Sequence, residues 1–242
     1  MNTDVMLEAF PLLLDGAVLT IELVLISGCC GLFLAIPLAL MRLTHNRVLR
    51  TISYAYIFFF RGTPLLVQLF LVYYGVAQFD IIRENSTIWP IMRDPYYCAL
   101  ITMSLHTAAY IAEILRGAII GIPHGEIEAA YALGMNKRIA TRRIILPRAF
   151  QIALPAYGNE IILMLKGSAL VSTITLLDLT GMAKTVLAEN YMPVETYMTA
   201  GIIYLAITGV IAIGIKFAEW FLHPHYRPRK DTPEDLSGSP AP

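Results

Sequence analysis

Ile122-Pro123-His124-Gly125-Glu126-Ile127-Glu128-Ala129-Ala130-Tyr131-Ala132-Leu133-Gly134-Met135-Asn136-Lys137-Arg138-Ile139-Ala140-Thr141-Arg142-Arg143-Ile144-Ile145-Leu146-Pro147 is a long polar interruption in an otherwise apolar chain. Pro123 and Gly125 mark a turn. Glu126 and Glu128 then fall in the first turn of a helix, where acidic groups complement the helix dipole. Ala129, Ala130 and Ala132 give that helix high propensity and a low profile on one face. Gly134 closes it at the C′ position, and Asn136 caps a second, basic helix beginning at Lys137. Pro147 is expected to end that one. A short helix with small residues, held off by breakers on both sides, suits insertion into another protein's groove.

On either side of this loop the chain is built for lipid. Its 242 residues are 57% hydrophobic and 15% charged, with a mean hydropathy of +0.62, an apolar excess that points to a membrane protein. Cys29, Cys30 and Cys98 lie in or beside apolar segments with no Cys-x-x-Cys pair, which suggests neither a zinc site nor a disulfide framework. The first residues lack a basic region and a small-residue cleavage site, so no removable signal peptide is expected.

Five spans follow from the hydropathy, each long enough to cross about 30 Å of hydrocarbon. They run over residues 17–41, 52–79, 97–120, 149–170 and 197–217. The second is too long for one straight span and is broken at Arg61-Gly62-Thr63-Pro64. A broken helix at membrane depth exposes backbone groups that protein or a watery cavity must satisfy. It marks either a substrate path or the place where an interfacial helix turns into the span. Basic residues set the orientation. Three lie after the first span, six between Arg116 and Arg148 and four from Lys216 onward, against Arg83, Arg93 and Lys184 on the other side. Thirteen against three places the N-terminus outside and the C-terminus inside. Residues 1–16 then form an external segment, 17–220 the transmembrane domain, and 221–242 a cytoplasmic tail, partly disordered by composition.

Ionisable groups within spans are costly and usually functional. His106, Tyr110 and Glu113 share one face of the third span, and Glu160, Met164 and Ser168 share one face of the fourth. Two carboxylates from neighbouring spans could hold a cationic group, with Thr63 at the broken helix adding a hydroxyl. The bland readings stand beside these: Glu113 pairs with Arg116, and His106 makes a packing hydrogen bond between helices. Lys166 reads as paired or snorkelling. No catalytic arrangement and no phosphate-binding Gly-Lys loop is visible, so an ATPase site is not supplied by this chain. Nothing suggests nucleic-acid binding.

Glu128-Ala129-Ala130, Gly134 and Ile144-Ile145-Leu146-Pro147 together resemble the signature loop of the membrane subunits of ATP-binding-cassette importers. Phe60-Arg61-Gly62-Thr63-Pro64-Leu65-Leu66-Val67-Gln68, Ala108-Ala109-Tyr110-Ile111-Ala112-Glu113-Ile114 and Leu154-Pro155-Ala156-Tyr157-Gly158-Asn159-Glu160 resemble motifs of the polar amino-acid branch of that family. The likeness is nearest to permeases for histidine/lysine/arginine/ornithine and for octopine/nopaline. It covers about residues 17–220. His106 stands where many relatives place Asn, and Gly167-Ser168-Ala169 replaces a more usual Asp-Thr-Ser, which leaves the exact substrate open.

The resemblance implies an all-α, five-span membrane domain of the type I importer fold in a bacterial inner membrane. It implies a non-catalytic permease subunit that passes a polar, basic amino acid, with an opine as the alternative. Its expected partners are a cytoplasmic ATPase homodimer that binds ATP and Mg, a second and different permease chain, a periplasmic solute-binding protein and membrane lipid. The chain itself needs no cofactor or metal. Glu128, Ala129, Ala130 and Gly134 are the expected ATPase-docking residues, and Thr63, His106, Tyr110, Glu113, Glu160 and Ser168 the expected substrate residues. Two functions of other classes compete. An ion-driven secondary transporter is weakened by the absence of an internal repeat, and a membrane anchor by the costly intramembrane charges.

Overall fold

The first helix, α1, runs unbroken from Thr3 to Leu43 in a computed structural model that describes residues 3–222. Its 41 residues span about 60 Å at 1.5 Å each, twice the thickness of a bilayer's hydrocarbon. Residues 3–16, the expected external segment, form the first turns of this same helix. Ala9, Leu13 and Ala17 tie that extension to the far end of the chain, packing with Leu179, Ala183 and Val186 and with Ala200 and Ile203.

After α1 come α2 (Arg47–Gly62) and α3 (Leu65–Phe70), which continues through a π-helical turn at Leu71–Gly75 and a 3-10 turn at Val76–Gln78. The two arms, Arg47–Gly62 and Leu65–Gln78, meet at 105°. Short helices α4 (Asp80–Arg83) and α5 (Trp89–Met92) lead to α6 (Pro95–Ile120), capped by Asp94, whose carboxylate accepts from the Tyr96 amide at 2.9 Å. Next are α7 (His124–Ala132), α8 (Lys137–Ala140) and a π-helical turn at Thr141–Ile145 that passes directly into α9 (Leu146–Gly167). A 3-10 turn at Ser168–Ile174, then α10 (Leu179–Asn190) and α11 (Pro193–Leu222), complete the described chain. Among the described residues there is no strand. Among the described residues three helices, α1, α6 and α11, are long and apolar enough to cross a membrane, or up to five if each bent pair counts as one span. The expected tail, 221–242, lies outside the described residues beyond Leu222.

Pro147 does not stop a helix. It sits in the first turn of α9, where a missing amide costs nothing within that helix. The preceding turn widens to the π form, which lets the chain run on past the proline ring. Asp178 caps α10, accepting from the amides of Gly181 at 3.0 Å and Thr180 at 3.2 Å. The Thr20 hydroxyl in α1 accepts from the Leu179 amide at 3.0 Å, so α1 also satisfies the start of α10.

The packing is of the kind lipid demands. Hydrocarbon gives no hydrophobic drive between helices, so small residues that let backbones approach carry the association. Ala35 and Ala39 of α1 meet Ala109 and Ala112 of α6, and Ala149 and Ala153 of α9 join them. Gly31 marks the tightest crossing: a Cβ there would stand 2.3 Å from the Thr107 methyl on α6.

Candidate functional site

The site grows from the break between α2 and α3. Pro64 has no amide hydrogen, and the end of α2 would leave carbonyls open at membrane depth. They are closed locally. The Thr63 amide and hydroxyl both donate to the Phe59 carbonyl, at 3.1 and 2.8 Å. The Gln68 side-chain amide spreads across the Phe60 carbonyl (2.9 Å), the Thr63 carbonyl (3.0 Å) and the Thr63 hydroxyl (2.7 Å). Gln68 is buried and acts as a clamp on the bend. Its remaining oxygen lies 3.0 Å from His106 Nδ1, so Nδ1 donates, and in the neutral ring Nε2 is left as an acceptor.

The bend faces α6 and α9 across a cavity of about 480 Å³. Its wall includes Arg61 and Thr63 from the break, His106 and Tyr110 from α6, and Glu160 and Met164 from α9. Glu160 is 6% exposed. The Thr107 hydroxyl lies 3.5 Å from its Oε1, and among the described residues no basic group forms an ion pair with it. The His106 and Tyr110 rings lie 5.0 Å apart, and the Arg61 guanidinium rests 5.1 Å above the centre of Tyr110.

A second cavity of about 340 Å³ adjoins the first and shares Arg61, Gly62 and Tyr110 with it. Its charged groups are Arg42, Arg61 and Glu113. Here the carboxylate is occupied: Glu113 accepts from Arg42 Nε at 3.2 Å and from Arg116 Nε at 2.8 Å. The i, i+3 partner was visible in the sequence. Arg42, 71 residues away, was not.

Of the six residues expected to face a substrate, Thr63, His106, Tyr110 and Glu160 line the larger cavity, and Tyr110 and Glu113 the smaller. Ser168 is fully buried behind the wall, its hydroxyl donating to the Leu165 carbonyl at 2.7 Å. The Thr63 hydroxyl is committed to the bend. Sequence reasoning gave Gln68 and Arg61 no role; a Gln four residues after a Gly-Thr-Pro break was the available signal. No group of three or more His, Cys, Asp or Glu side chains suited to a metal occurs among the described residues.

The loop at Ile122–Pro147 has its own geometry. Gly134 adopts φ +77°, and the amides of Gly134 and Met135 donate to the carbonyls of Tyr131 (2.9 Å) and Ala130 (3.1 Å). This paired closure is the Schellman arrangement, which needs a left-handed residue at that point. A Cβ on Gly134 would touch nothing, so backbone conformation alone selects glycine. Asn136 Oδ1 accepts from the Ile139 amide at 3.0 Å and starts α8. Glu128 and Ala129 are exposed. Ala130 is buried within the chain, while Tyr131 and Leu133, passed over in the sequence, stand 45% and 78% exposed. Glu126 pairs with Arg148 Nε at 3.2 Å, and Arg148 also donates to Gln151 at 3.1 Å, which joins α7 to the base of α9.

Comparison with known proteins places this architecture. Residues 30–219 match the family model described as the binding-protein-dependent transport system inner membrane component. The nopaline transport system permease protein NocM of Agrobacterium fabrum is 45% identical over 229 residues, covering 95% of each chain. The histidine/lysine/arginine/ornithine transport system permease protein HisM of Escherichia coli is 39% identical over 210 residues, 86% of this chain and 88% of that protein. A crystal structure of an amino acid ABC transporter with histidines superimposes with a TM-score of 0.80 at 32% identity, covering 90% of this chain and 98% of that one. The chain therefore belongs to the binding-protein-dependent transport system inner membrane component family, as a permease subunit of an ATP-binding-cassette importer and not a catalytic one.

Proposed function

We propose that this chain forms half of the translocation pathway for polar, basic amino acids of the arginine, histidine, lysine and ornithine type, and that Glu160 receives their ammonium or guanidinium group. The observation that carries this reading is the contrast between two intramembrane carboxylates. Glu113 is closed by two arginines, whereas Glu160 faces a cavity of about 480 Å³ with no ion-pair partner among the described residues. A charge held at membrane depth costs about 2.5–3.5 kcal/mol, and a bound cation offsets it. Four-tenths identity to a histidine/lysine/arginine/ornithine permease supports the substrate class. The greater identity to a nopaline permease favours a second reading, an opine substrate.

In this reading five spans cross a bacterial inner membrane, the bent α2–α3 pair and the α8–α10 run counting as one each, with the N-terminus outside and the tail inside. The domain runs over residues 17–220, preceded by the external 1–16. Helix α7, with Glu128, Ala129 and the Gly134 closure, docks on a cytoplasmic ATPase homodimer that holds ATP and Mg. A homologous but different permease chain completes the pore, and a periplasmic solute-binding protein delivers the substrate. Uptake into proteoliposomes holding the whole transporter, compared for arginine, histidine, lysine and octopine, tests the reading. Transport of none of the basic amino acids would overturn it, and transport of octopine alone would select the opine reading.

A further inference from the structure

Between Lys137 and Arg148 the sequence places five basic residues and no acidic one. Arg148 is committed, pairing with Glu126 at 3.2 Å. Arg42 at the end of α1 and Arg116 near the end of α6 are committed too, both to Glu113. Lys137, Arg138, Arg142 and Arg143 are exposed, and among the described residues they form no ion pair. Arg142 and Arg143 stand four and three residues before Leu146 on one continuous helical run, so all three fall on the same side of it. At Leu146 that side becomes apolar. A crevice of about 70 Å³ opens there between Ile36 and Leu40 of α1, Leu115 and Ile119 of α6, and Leu146 and Phe150 of α9. Its floor is set by Ala39 and Ala149, each 1% exposed, and every side chain lining it is apolar. A smaller gap of about 10 Å³ shares Leu115 and Phe150 with it and carries the seam on to Leu32, Ile111 and Tyr157.

We infer that this seam binds an anionic phospholipid, with an acyl chain along α1 and α9 and the phosphate held by Arg142 and Arg143. An apolar crevice gives water no partners, so hydrocarbon is what fills it. From Leu146 to Tyr157 the seam follows roughly 16 Å of helix at 1.5 Å per residue. That is about one leaflet of a 30 Å hydrocarbon core, the depth an acyl chain reaches. Leu40 and Phe150 are 40% and 38% exposed, so the seam is open to surrounding lipid along its length. Guanidinium groups take phosphate oxygens bidentately, and basic clusters next to the cytoplasmic end of a span attract anionic headgroups. Charge alone would suit an acidic protein surface, and an apolar seam alone would suit any lipid tail. Their junction at Leu146 selects a lipid with a charged head. Of the transport reading only the orientation enters here, and it puts this junction in the cytoplasmic leaflet.

The test is native mass spectrometry of the purified whole transporter, titrated with phosphatidylglycerol and with phosphatidylcholine of the same acyl chains. The parent is expected to bind the first phosphatidylglycerol about fivefold more tightly or better, the effect of one basic group at a membrane surface. R142Q/R143Q is expected to lose that preference, and R142K/R143K, which keeps the charge, to retain most of it. L40W lays an indole across the mouth of the crevice at an already exposed position and is expected to weaken both lipids about threefold or more. Glycerol phosphate in excess is expected to leave phosphatidylglycerol bound, because it has no acyl chain to fill the seam. A parent with no preference would overturn the proposal, as would R142Q/R143Q with the parent's preference or L40W with the parent's affinities. Displacement by glycerol phosphate would reduce the site to one for soluble anions and overturn it too. Loss of the ATPase subunit from R142Q/R143Q, with lipid preference unchanged, would assign the two arginines to a protein contact instead. None of these outcomes depends on which amino acid is transported, so failure here leaves the transport reading standing.

Discussion

Arg42 at the end of α1 donates its Nε to Glu113 of α6 at 3.2 Å, across 71 residues of sequence. Together with Arg116 it neutralises the carboxylate, and both side chains of the pair are less than one-fifth exposed. Breaking a partly buried pair leaves one charge without its partner, a loss of about 1–3 kcal/mol. Glu113→Gln is expected to lower the thermal unfolding midpoint of the purified transporter by several degrees, while arginine affinity changes less than threefold. A selective tenfold loss of affinity with unchanged melting would return Glu113 to the substrate site.

For Glu160→Gln the expectation is reversed. The amide keeps the shape and removes the charge, so uptake of arginine or lysine falls at least tenfold while protein level and basal ATP hydrolysis stay within twofold. Parent-like uptake would make Glu160 a packing residue.

At Gly134 the left-handed conformation sets the order of tolerance. Alanine at φ +77° costs about 1 kcal/mol or more, and asparagine less, because its side chain tolerates that region. Transport coupled to ATP hydrolysis is expected to fall in the order parent, Gly134→Asn, Gly134→Ala, with membrane insertion unchanged. Equal coupling in all three would mean that the Schellman closure is dispensable.

Gly31→Ala places a Cβ 2.3 Å from the Thr107 methyl, and Thr107 reaches Glu160. Overpacking of this kind costs about 1–3 kcal/mol. The variant is expected to melt earlier and transport less. Thr107→Ser, which removes that methyl, is expected to restore part of both losses; no rescue would place the damage elsewhere.

Topology is checked by reporter fusions. One after Lys230 is expected in the cytoplasm and one near Glu189 outside, from the thirteen-to-three distribution of basic residues. Either found on the opposite side would refute the five-span arrangement.

Local chemistry made much of this legible. Breakers, caps and dipole-matched charges announced α7 and α8, and apolar run lengths announced the long helices. Helical spacing put His106, Tyr110 and Glu113 on one face before any contact was known. Contacts set by distant packing were not legible. The 105° turn at Gly62–Leu65, the Gln68 clamp and the Arg42–Glu113 pair each depend on which helices become neighbours. Ala130 looked like a docking residue by motif, but it turns inward, because a nine-residue helix lying against its own chain has a buried side. Ser168 shares a helical face with Glu160 by count, but it is fully buried with its hydroxyl committed to the Leu165 carbonyl, while Gly167 and Leu170 beside it line the cavity.

The Glu126–Arg148 pair ties α7 to the base of α9, so any tilt of α9 about that end is magnified along the helix. From Arg148 to Glu160 is about 18 Å of helix at 1.5 Å per residue, so a tilt of about 5° at the base swings the far end sideways by about 1.6 Å. Directed along the bond, that displacement is enough to carry a 2.8 Å hydrogen bond out of range. Pro155 lies between the two points and removes one rung of the helix, which gives the arm a joint nearer its load. Under the proposed function, a pull on α7 shifts Glu160 relative to the α2–α3 bend while every side chain around the cavity keeps its rotamer.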